Sequence, residues 1–242
     1  MGFWDKIKKF FTENLFSTRW RCLLCGKEIF DGGYFCAECK KSLPYNDGPV
    51  CNHCGRKVNV RQEYCSTCKG RLLSVDQCRS VFVYKSPVSN LIKKMKFDGG
   101  SYIAESFGEQ LSSLYLKNYL NADCVVFVPM TKKLERKRGY NQSKLLALEF
   151  SKRTGLPIAD CIEKKIQTDR QATLNRAERL KNLKGVFKVT SRKAVKGKKV
   201  VIIDDVTTTG ATAEALSSKL KQAGAINVYL LTVASVPAKD GY

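Results

Sequence analysis

Eight cysteines near the start of the chain form two sets that repeat at a fixed offset. Each set has the spacing C-x2-C-x10-C-x2-C, and the second follows the first after 29 residues: Cys22, Cys25, Cys36 and Cys39, then Cys51, Cys54, Cys65 and Cys68. Neighbouring residues repeat at the same offset, including Gly26 with Gly55 and Phe35 with Tyr64. The pattern is that of a tandem duplication and predicts two copies of one small folded unit.

The spacing within each set suits a metal ion. A two-residue gap allows two thiolates from one tight turn to reach the same ion, and the glycine after each first pair permits that turn. Two such turns complete a tetrahedral four-thiolate site, so we predict one structural zinc ion per set, with no open position for metal catalysis. Consecutive sets are the simplest pairing, and an interleaved pairing stays open. His53 is an alternative ligand, although four cysteines leave no position for it.

Disulfides and a redox C-x-x-C site are the competing interpretations of these cysteines. No apolar signal peptide opens the sequence, which favours a reducing cytoplasm and therefore metal-bound thiolates. Cys78, Cys124 and Cys161 lack partners at metal spacing and are predicted to be buried apolar residues. No stretch is long and apolar enough to span a bilayer, so we expect a cytoplasmic protein.

A second feature joins a strand, a loop and a helix. Residues 200–203 are β-branched and indicate a buried parallel strand, while the apolar residues from Ala211 to Ala223 predict a helix closed by Gly224. Asp204 and Asp205 end the strand and can accept hydrogen bonds from the hydroxyls of a ribose. The helix start favours a phosphate, held by Thr208, Thr209, Gly210, Ala211 and Thr212. A helix cap alone would need one such residue and no acidic pair.

This run resembles the phosphoribosyl pyrophosphate (PRPP) motif of type I phosphoribosyltransferases. The resemblance implies that PRPP and Mg²⁺ bind at Asp204 and Asp205, the candidate catalytic residues. It also implies a pyrophosphate loop after a strand at 123–128, formed by Thr131, Lys132 and Lys133. Purine-salvage enzymes have an acidic residue where Thr208 stands, and a threonine cannot act as acid or base at neutral pH, so purine salvage is disfavoured.

The chain after the cysteines alternates strands and helices. We predict strands over 79–84, 123–128, 161–166, 185–189, 199–204 and 226–234, and helices over 88–96, 102–120, 140–154, 176–183 and 211–223. This order predicts an α/β fold with a mostly parallel sheet, whose ligand site lies beyond the carboxyl ends of the strands. We divide the chain into an amphipathic helix within 1–21, a double zinc ribbon over 22–78 and a type I phosphoribosyltransferase-like domain over 79–242. The opening helix suits packing against protein, or a membrane surface.

The chain is strongly basic, with a formal charge of +21. Lysines and arginines outnumber acidic residues by 15 between residues 131 and 199, around the predicted phosphate site. This excess suits pyrophosphate, nucleic acid or only solubility. We predict single-stranded DNA binding through this region, including Arg136, Lys137 and Arg138. The ribbon aromatics Tyr34, Phe35 and Tyr64 suit stacking on bases, with packing inside the ribbons as the alternative. The run 170–184 suits a loop that closes over PRPP, with contacts from Arg176, Arg179 and Lys181, or a solvated surface.

Four stretches together resemble the ComF family of bacterial competence proteins: 93–99, 128–142, 167–187 and the PRPP motif. The resemblance implies a zinc ribbon joined to a phosphoribosyltransferase domain, acting in uptake of single-stranded DNA at the inner face of the membrane, beside a helicase-like partner. Three hypotheses remain open: a DNA-handling protein that keeps a PRPP pocket, an active phosphoribosyltransferase on an unidentified acceptor, and a metal-stabilised adaptor with a vestigial pocket.

Overall fold

The structure is a computed structural model that describes residues 20–58, 63–66, 68–70, 74–165 and 185–237. Three predictions lie outside these residues: the opening helix up to residue 19, the helix at 176–183, and the anion contacts of Arg176, Arg179 and Lys181. In the part of the chain that is described, no helix is both long enough and apolar enough to cross a membrane.

A four-stranded parallel sheet forms the centre of the fold, in the order β1-β6-β5-β2. Its strands are β1 (Gln77–Val83), β2 (Cys124–Phe127), β5 (Lys199–Thr207) and β6 (Asn227–Ser235). A separate antiparallel pair joins β3 (Ile162–Lys164) to β4 (Phe187–Val189). The predicted α/β order with a mostly parallel central sheet is therefore confirmed.

Six α-helices lie in the described part of the chain, together with a short 3₁₀ turn at Arg192–Ala194. They are α1 (Ala37–Ser42), α2 (Val88–Phe97), α3 (Ile103–Lys117), α4 (Lys132–Arg138), α5 (Gln142–Thr154) and α6 (Ala211–Gln222). The predicted helices at 88–96, 102–120, 140–154 and 211–223 correspond to α2, α3, α5 and α6. Helices α1 and α4, which are short, were not predicted from the sequence.

Two cores cover the two faces of the sheet, because successive side chains of a strand point to opposite faces. Val201 and Ile203 of β5 join one core with side chains of α2, α3 and α5. Val200 and Ile202 join the other core with side chains of α6, β3 and β4. Cys78, Cys124 and Cys161 are all buried in the second core, as the sequence predicted.

Strand β5 differs from its predicted bounds because it continues past residue 204 to Thr207. Val206 and Thr207 remain in register with Ala234 and Ser235 of β6, and this pairing extends the strand. The acidic pair therefore lies within the strand rather than after its end. Loop residues 208–210 then lead directly into α6.

Candidate functional site

The structure brings the eight cysteines into two clusters made of consecutive quartets. The ligand atoms of each cluster lie within 4.8 Å of one another. The Sγ atoms of Cys25 and Cys36 are 3.8 Å apart, and those of Cys54 and Cys65 are 3.7 Å apart. Four sulfurs at 2.3 Å from a tetrahedral zinc ion stand about 3.8 Å apart, so both clusters fit zinc. Neither cluster includes His53, whose ring stacks on Tyr64 instead.

The duplication extends to the main-chain hydrogen bonds. The N–H of Cys22 donates to the Lys27 carbonyl, and 29 residues later the N–H of Cys51 donates to the Arg56 carbonyl, both at 2.8 Å. Two further pairs of bonds repeat in the same register: Gly26 to Cys22 with Gly55 to Cys51, and Lys40 to Cys36 with Lys69 to Cys65. Gly26 and Gly55 have φ of 73° and 68°, which a glycine adopts without strain. Each repeat is therefore a complete ribbon with its own site.

The two clusters differ in exposure. All four thiols of the second cluster are buried, whereas Cys25 of the first is exposed. Burial raises the pKa of Cys22, but main-chain N–H groups of Cys25, Cys36 and Leu24 outweigh it and lower the pKa to about 6. Hydrogen bonds from Cys54 and Cys68 likewise lower the pKa of Cys51. In each ribbon the first cysteine is thus the thiol that ionises most readily, while neighbouring thiols and burial raise the pKa of Cys39, Cys54 and Cys68 in the absence of metal.

The acidic pair on β5 already has partners on two helices. Asp204 Oδ1 accepts a hydrogen bond from the Ser143 hydroxyl at 2.8 Å and another from the main-chain N–H of Asp205 at 2.9 Å. Asp205 is almost completely buried, and its Oδ2 lies 2.7 Å from Lys96 Nζ in an ion pair without good hydrogen-bond angles. Neither Ser143 nor Lys96 was predicted to belong to the site, although Lys96 lies within the stretch 93–99 that resembles the ComF family.

Charged groups lie close together around this pair and shift one another's pKa values. Burial and the neighbouring Asp205 carboxylate raise the pKa of Asp204 to about 7, although Ser143 and Lys96 act in the opposite direction. Burial lowers the pKa of Lys164, while Asp204 raises it. Asp204 therefore changes protonation close to neutral pH, and a ligand that supplies hydroxyl donors or a cation would favour its charged form.

Residues 208–210, the predicted phosphate loop, lead into a helix start. Gly210 adopts φ of 74°, and the space where its side chain would stand contains no atom within 4 Å. Helix α6 begins at Ala211, whose N–H donates weakly to Thr209 Oγ1 at 3.4 Å. Thr208 is exposed, and Thr209 and Thr212 are half-buried. The loop of three residues between β5 and α6 thus presents hydroxyl groups and a helix N-terminus.

The predicted pyrophosphate loop is a loop only in part: residues 128–131 follow β2 without regular structure, whereas Lys132 and Lys133 belong to α4. Their contact with pyrophosphate stays a prediction. Thr131 caps α4 by accepting a hydrogen bond from the Leu134 N–H, so Lys132 and Lys133 occupy the first helical turn. Gly139 ends α4 with φ of 90°, and Asn141 then caps α5. The correction has a physical reason: the cap and the glycine enclose seven residues, enough for two turns.

The basic and aromatic residues predicted to bind DNA divide into two groups. Arg136 and Lys137 are exposed on α4. Arg138 instead donates to Gln142 at 2.6 Å and stands over the Phe97 ring. Tyr64 is 36% exposed. Tyr34 and Phe35 are buried in the core beside α3 and α5, so the prediction that these two rings stack on bases is wrong.

Three curated relatives match most of the chain. Competence protein F of Haemophilus influenzae is 28% identical over 84% of this chain and 92% of its own. Competence protein ComFC of Bacillus subtilis is 29% identical over 73% of each chain. DNA utilization protein YhgH of Salmonella typhi is 30% identical over 80% of this chain and 93% of its own. The chain belongs to the ComF family.

Two further comparisons concern the separate parts of this ComF-family chain. A family model described as a double zinc ribbon domain matches residues 12–69, which include both cysteine clusters. The solved glutamine PRPP amidotransferase of B. subtilis is 23% identical, with a TM-score of 0.40, and the match covers 55% of this chain and 26% of that one. The double zinc ribbon and the α/β domain with a parallel central sheet that follows it are confirmed, and the type I phosphoribosyltransferase class of that domain stays a prediction. The exact domain limits remain a prediction.

Proposed function

We propose that this protein binds a phosphoribosyl ligand such as PRPP, together with Mg²⁺, and uses this pocket in the handling of single-stranded DNA during natural transformation. One observation carries the pocket assignment. The paired carboxylates of Asp204 and Asp205 lie on β5 just before the Gly210 turn that begins α6. The pair supplies acceptors for a ribose, and the helix start supplies donors for its phosphate.

The residues present suit both parts of such a ligand. Carboxylate oxygens are the donors that Mg²⁺ prefers, and bound Mg²⁺ would neutralise charge on a pyrophosphate. Asp204 and Asp205 accept hydrogen bonds from the ribose hydroxyls, in place of their present contacts with Ser143 and Lys96. The Lys96 ammonium, held at the end of α2, is then available to an anionic group of the ligand.

The DNA assignment is supported by the names of the relatives and by charge. Competence proteins and a DNA utilization protein are among them. In this chain α4 exposes Lys132, Lys133, Arg136 and Lys137 and follows β2, the strand that pairs with β5. Such a basic helix suits a phosphate backbone without base specificity. We further propose a cytoplasmic location at the inner face of the membrane and a helicase-like partner.

A second candidate function is an active phosphoribosyltransferase on an unidentified acceptor. The ion pair between Lys96 and Asp205 favours it, because it places a cation beside the carboxylates that would hold the ribose. A leaving pyrophosphate is stabilised by such a fixed positive charge. Release of pyrophosphate from PRPP in the presence of candidate acceptors distinguishes this function from ligand binding alone.

Calorimetric titration with PRPP, with and without Mg²⁺, tests the pocket. The double variant Asp204→Ala with Asp205→Ala removes the acceptors and should weaken binding about 100-fold, since a hydrogen bond to a charged group contributes roughly 1.5–3 kcal/mol. The control variant, Asp47→Ala with Asp160→Ala, changes the charge equally at exposed positions and should bind normally. Wild-type affinity should rise with pH through about 7 as Asp204 loses its proton. Equal affinity in the wild type and the double variant would refute the assignment.

Fluorescence anisotropy with a labelled single-stranded oligonucleotide tests the DNA surface. Charge reversal by Arg136→Glu with Lys137→Glu should weaken binding and flatten the dependence of log affinity on log salt by about 1.4, or about 0.7 for each phosphate contact. Lys40→Glu with Lys41→Glu reverses the same charge on α1 of the first ribbon and is the control. No binding by the wild type at micromolar protein and low salt would remove DNA from the proposal.

A further inference from the structure

The second ribbon lies directly against the phosphate loop. A small cavity is lined on one side by His53 and Cys54 of the ribbon and on the other by Thr207, Gly210 and Ala213. Cys78 of β1 also lines it. A metal ligand of the second cluster and the turn that begins α6 therefore border the same space.

A charged contact ties the end of this ribbon to the same turn. Both carboxylate oxygens of Glu214 accept hydrogen bonds from the main-chain N–H of Ser74, at 2.9 and 3.0 Å. Ser74 precedes β1 and follows the last cysteine of the second ribbon by six residues. The N–H of Glu214 in turn donates to the Gly210 carbonyl at 2.9 Å. The chain leaving the ribbon is thus connected to the loop through the Glu214 side chain.

The turn that carries Cys51 and Cys54 is itself fixed to the sheet. A side chain at Gly55 would stand 2.9 Å from the Cys78 carbonyl, so the turn and β1 are in close main-chain contact. Asn46 Nδ2 donates to the Gly55 carbonyl at 2.7 Å, and the Cys78 N–H donates to the Asn52 carbonyl at 3.4 Å. A displacement of this turn would therefore reach both β1 and the shared cavity.

The first ribbon is attached elsewhere. Its Tyr34 hydroxyl accepts a hydrogen bond from Arg153 at 3.2 Å, in the last turn of α5. Ser143, which contacts Asp204, is in the first turn of α5, about 15 Å away along the helix axis. The residues that line the cavity beside the phosphate loop include none from the first ribbon among those the structure describes.

We propose that the second zinc ribbon is a positioning element for the phosphate loop, and that the first is not. Metal in the second site holds the Cys51–Cys54 turn against β1 and beside the cavity that Gly210 also lines, and Glu214 connects the chain leaving this ribbon, at Ser74, to the same loop. Loss of this metal would leave the loop free to sample other conformations and reduce affinity for a phosphoribosyl ligand, because binding would then have to order it. The effect on affinity rests on the proposed function of the loop.

The duplication supplies a matched pair of variants, Cys54→Ser and Cys25→Ser, which change equivalent positions of the two repeats. Each should reduce bound zinc from about two to about one per chain. Hydrogen exchange of amides 208–213, measured without ligand, should accelerate at least about tenfold in Cys54→Ser and stay near wild type in Cys25→Ser. PRPP affinity should fall in the same order. Equal exchange of these amides in the two variants would overturn the proposal.

A second variant keeps the test decisive if Cys54→Ser does not fold. Glu214→Ala removes the acceptor of Ser74 while leaving all eight cysteines, so zinc content should stay at two and exchange at 208–213 should rise; Glu109→Ala, at an exposed position on α3, is its control. Unchanged exchange in Glu214→Ala contradicts the proposal. If wild-type protein binds no PRPP, the proposed function fails, while the exchange measurements still decide whether the second ribbon positions the loop.

Discussion

The two ribbons have the same cysteine spacing and the same main-chain hydrogen bonds, but they contribute to the molecule in different ways. The first inserts Tyr34 and Phe35 into the core beside α3 and α5 and keeps Cys25 exposed. The second buries all four of its thiols in a cluster of their own and borders the phosphate loop. A repeated sequence therefore specifies a repeated metal site, while the surface on which each copy packs decides what the copy does.

The largest predicted difference between the ribbons concerns the aromatic residue before the third cysteine. Phe35→Ala should destabilise the protein by about 3–5 kcal/mol, because the ring is buried in the main core and its loss leaves a cavity. Tyr64→Ala, at the equivalent position, removes a ring that is 36% exposed and stacks on His53, and should cost about 1 kcal/mol. Urea unfolding of both variants measures the two values. Similar losses would show that the ribbons are anchored alike.

A smaller difference is expected in the release of metal. A zinc ion in the first site should transfer to an excess of chelator at least about tenfold faster than one in the second, because an exposed thiolate can be replaced by a competing ligand without local unfolding. Stopped-flow measurement with a chromophoric chelator should show two phases of equal amplitude. Cys25→Ser should abolish the fast phase and Cys54→Ser the slow one. A single phase in the wild type would contradict the difference in burial.

Much of the fold could be predicted from local patterns. The strands at 123–128 and 226–234 and the helices at 88–96 and 211–223 match the structure within about two residues. A strand buried on both faces leaves a continuous apolar run, and a helix buried on one face leaves a clear periodicity. Helix α4 was missed because Lys132–Arg138 is seven residues long and mostly charged, so it has no apolar periodicity. Its two boundary signals, Thr131 and Gly139, were present in the sequence.

In the candidate site too, some features could be predicted from local sequence and others could not. The acidic pair and the Gly210 turn are contiguous in the chain, and their chemistry is visible in thirteen consecutive residues. Lys96 and Ser143 are far from them in sequence and reach Asp205 and Asp204 only because α2 and α5 pack on the same face of the sheet. Neither has a local pattern that distinguishes it from other polar helix residues.

The sequence by itself determined the two metal sites, the parallel sheet and the position of the phosphate loop, because each depends on spacing or periodicity within a short stretch of chain. Only the tertiary structure decided that Tyr34 and Phe35 are buried, that Lys96 and Ser143 hold the acidic pair, and that the second ribbon lies beside Gly210. These contacts join residues tens to more than a hundred positions apart. They depend on how complete elements pack, and local periodicity carries no information about that packing.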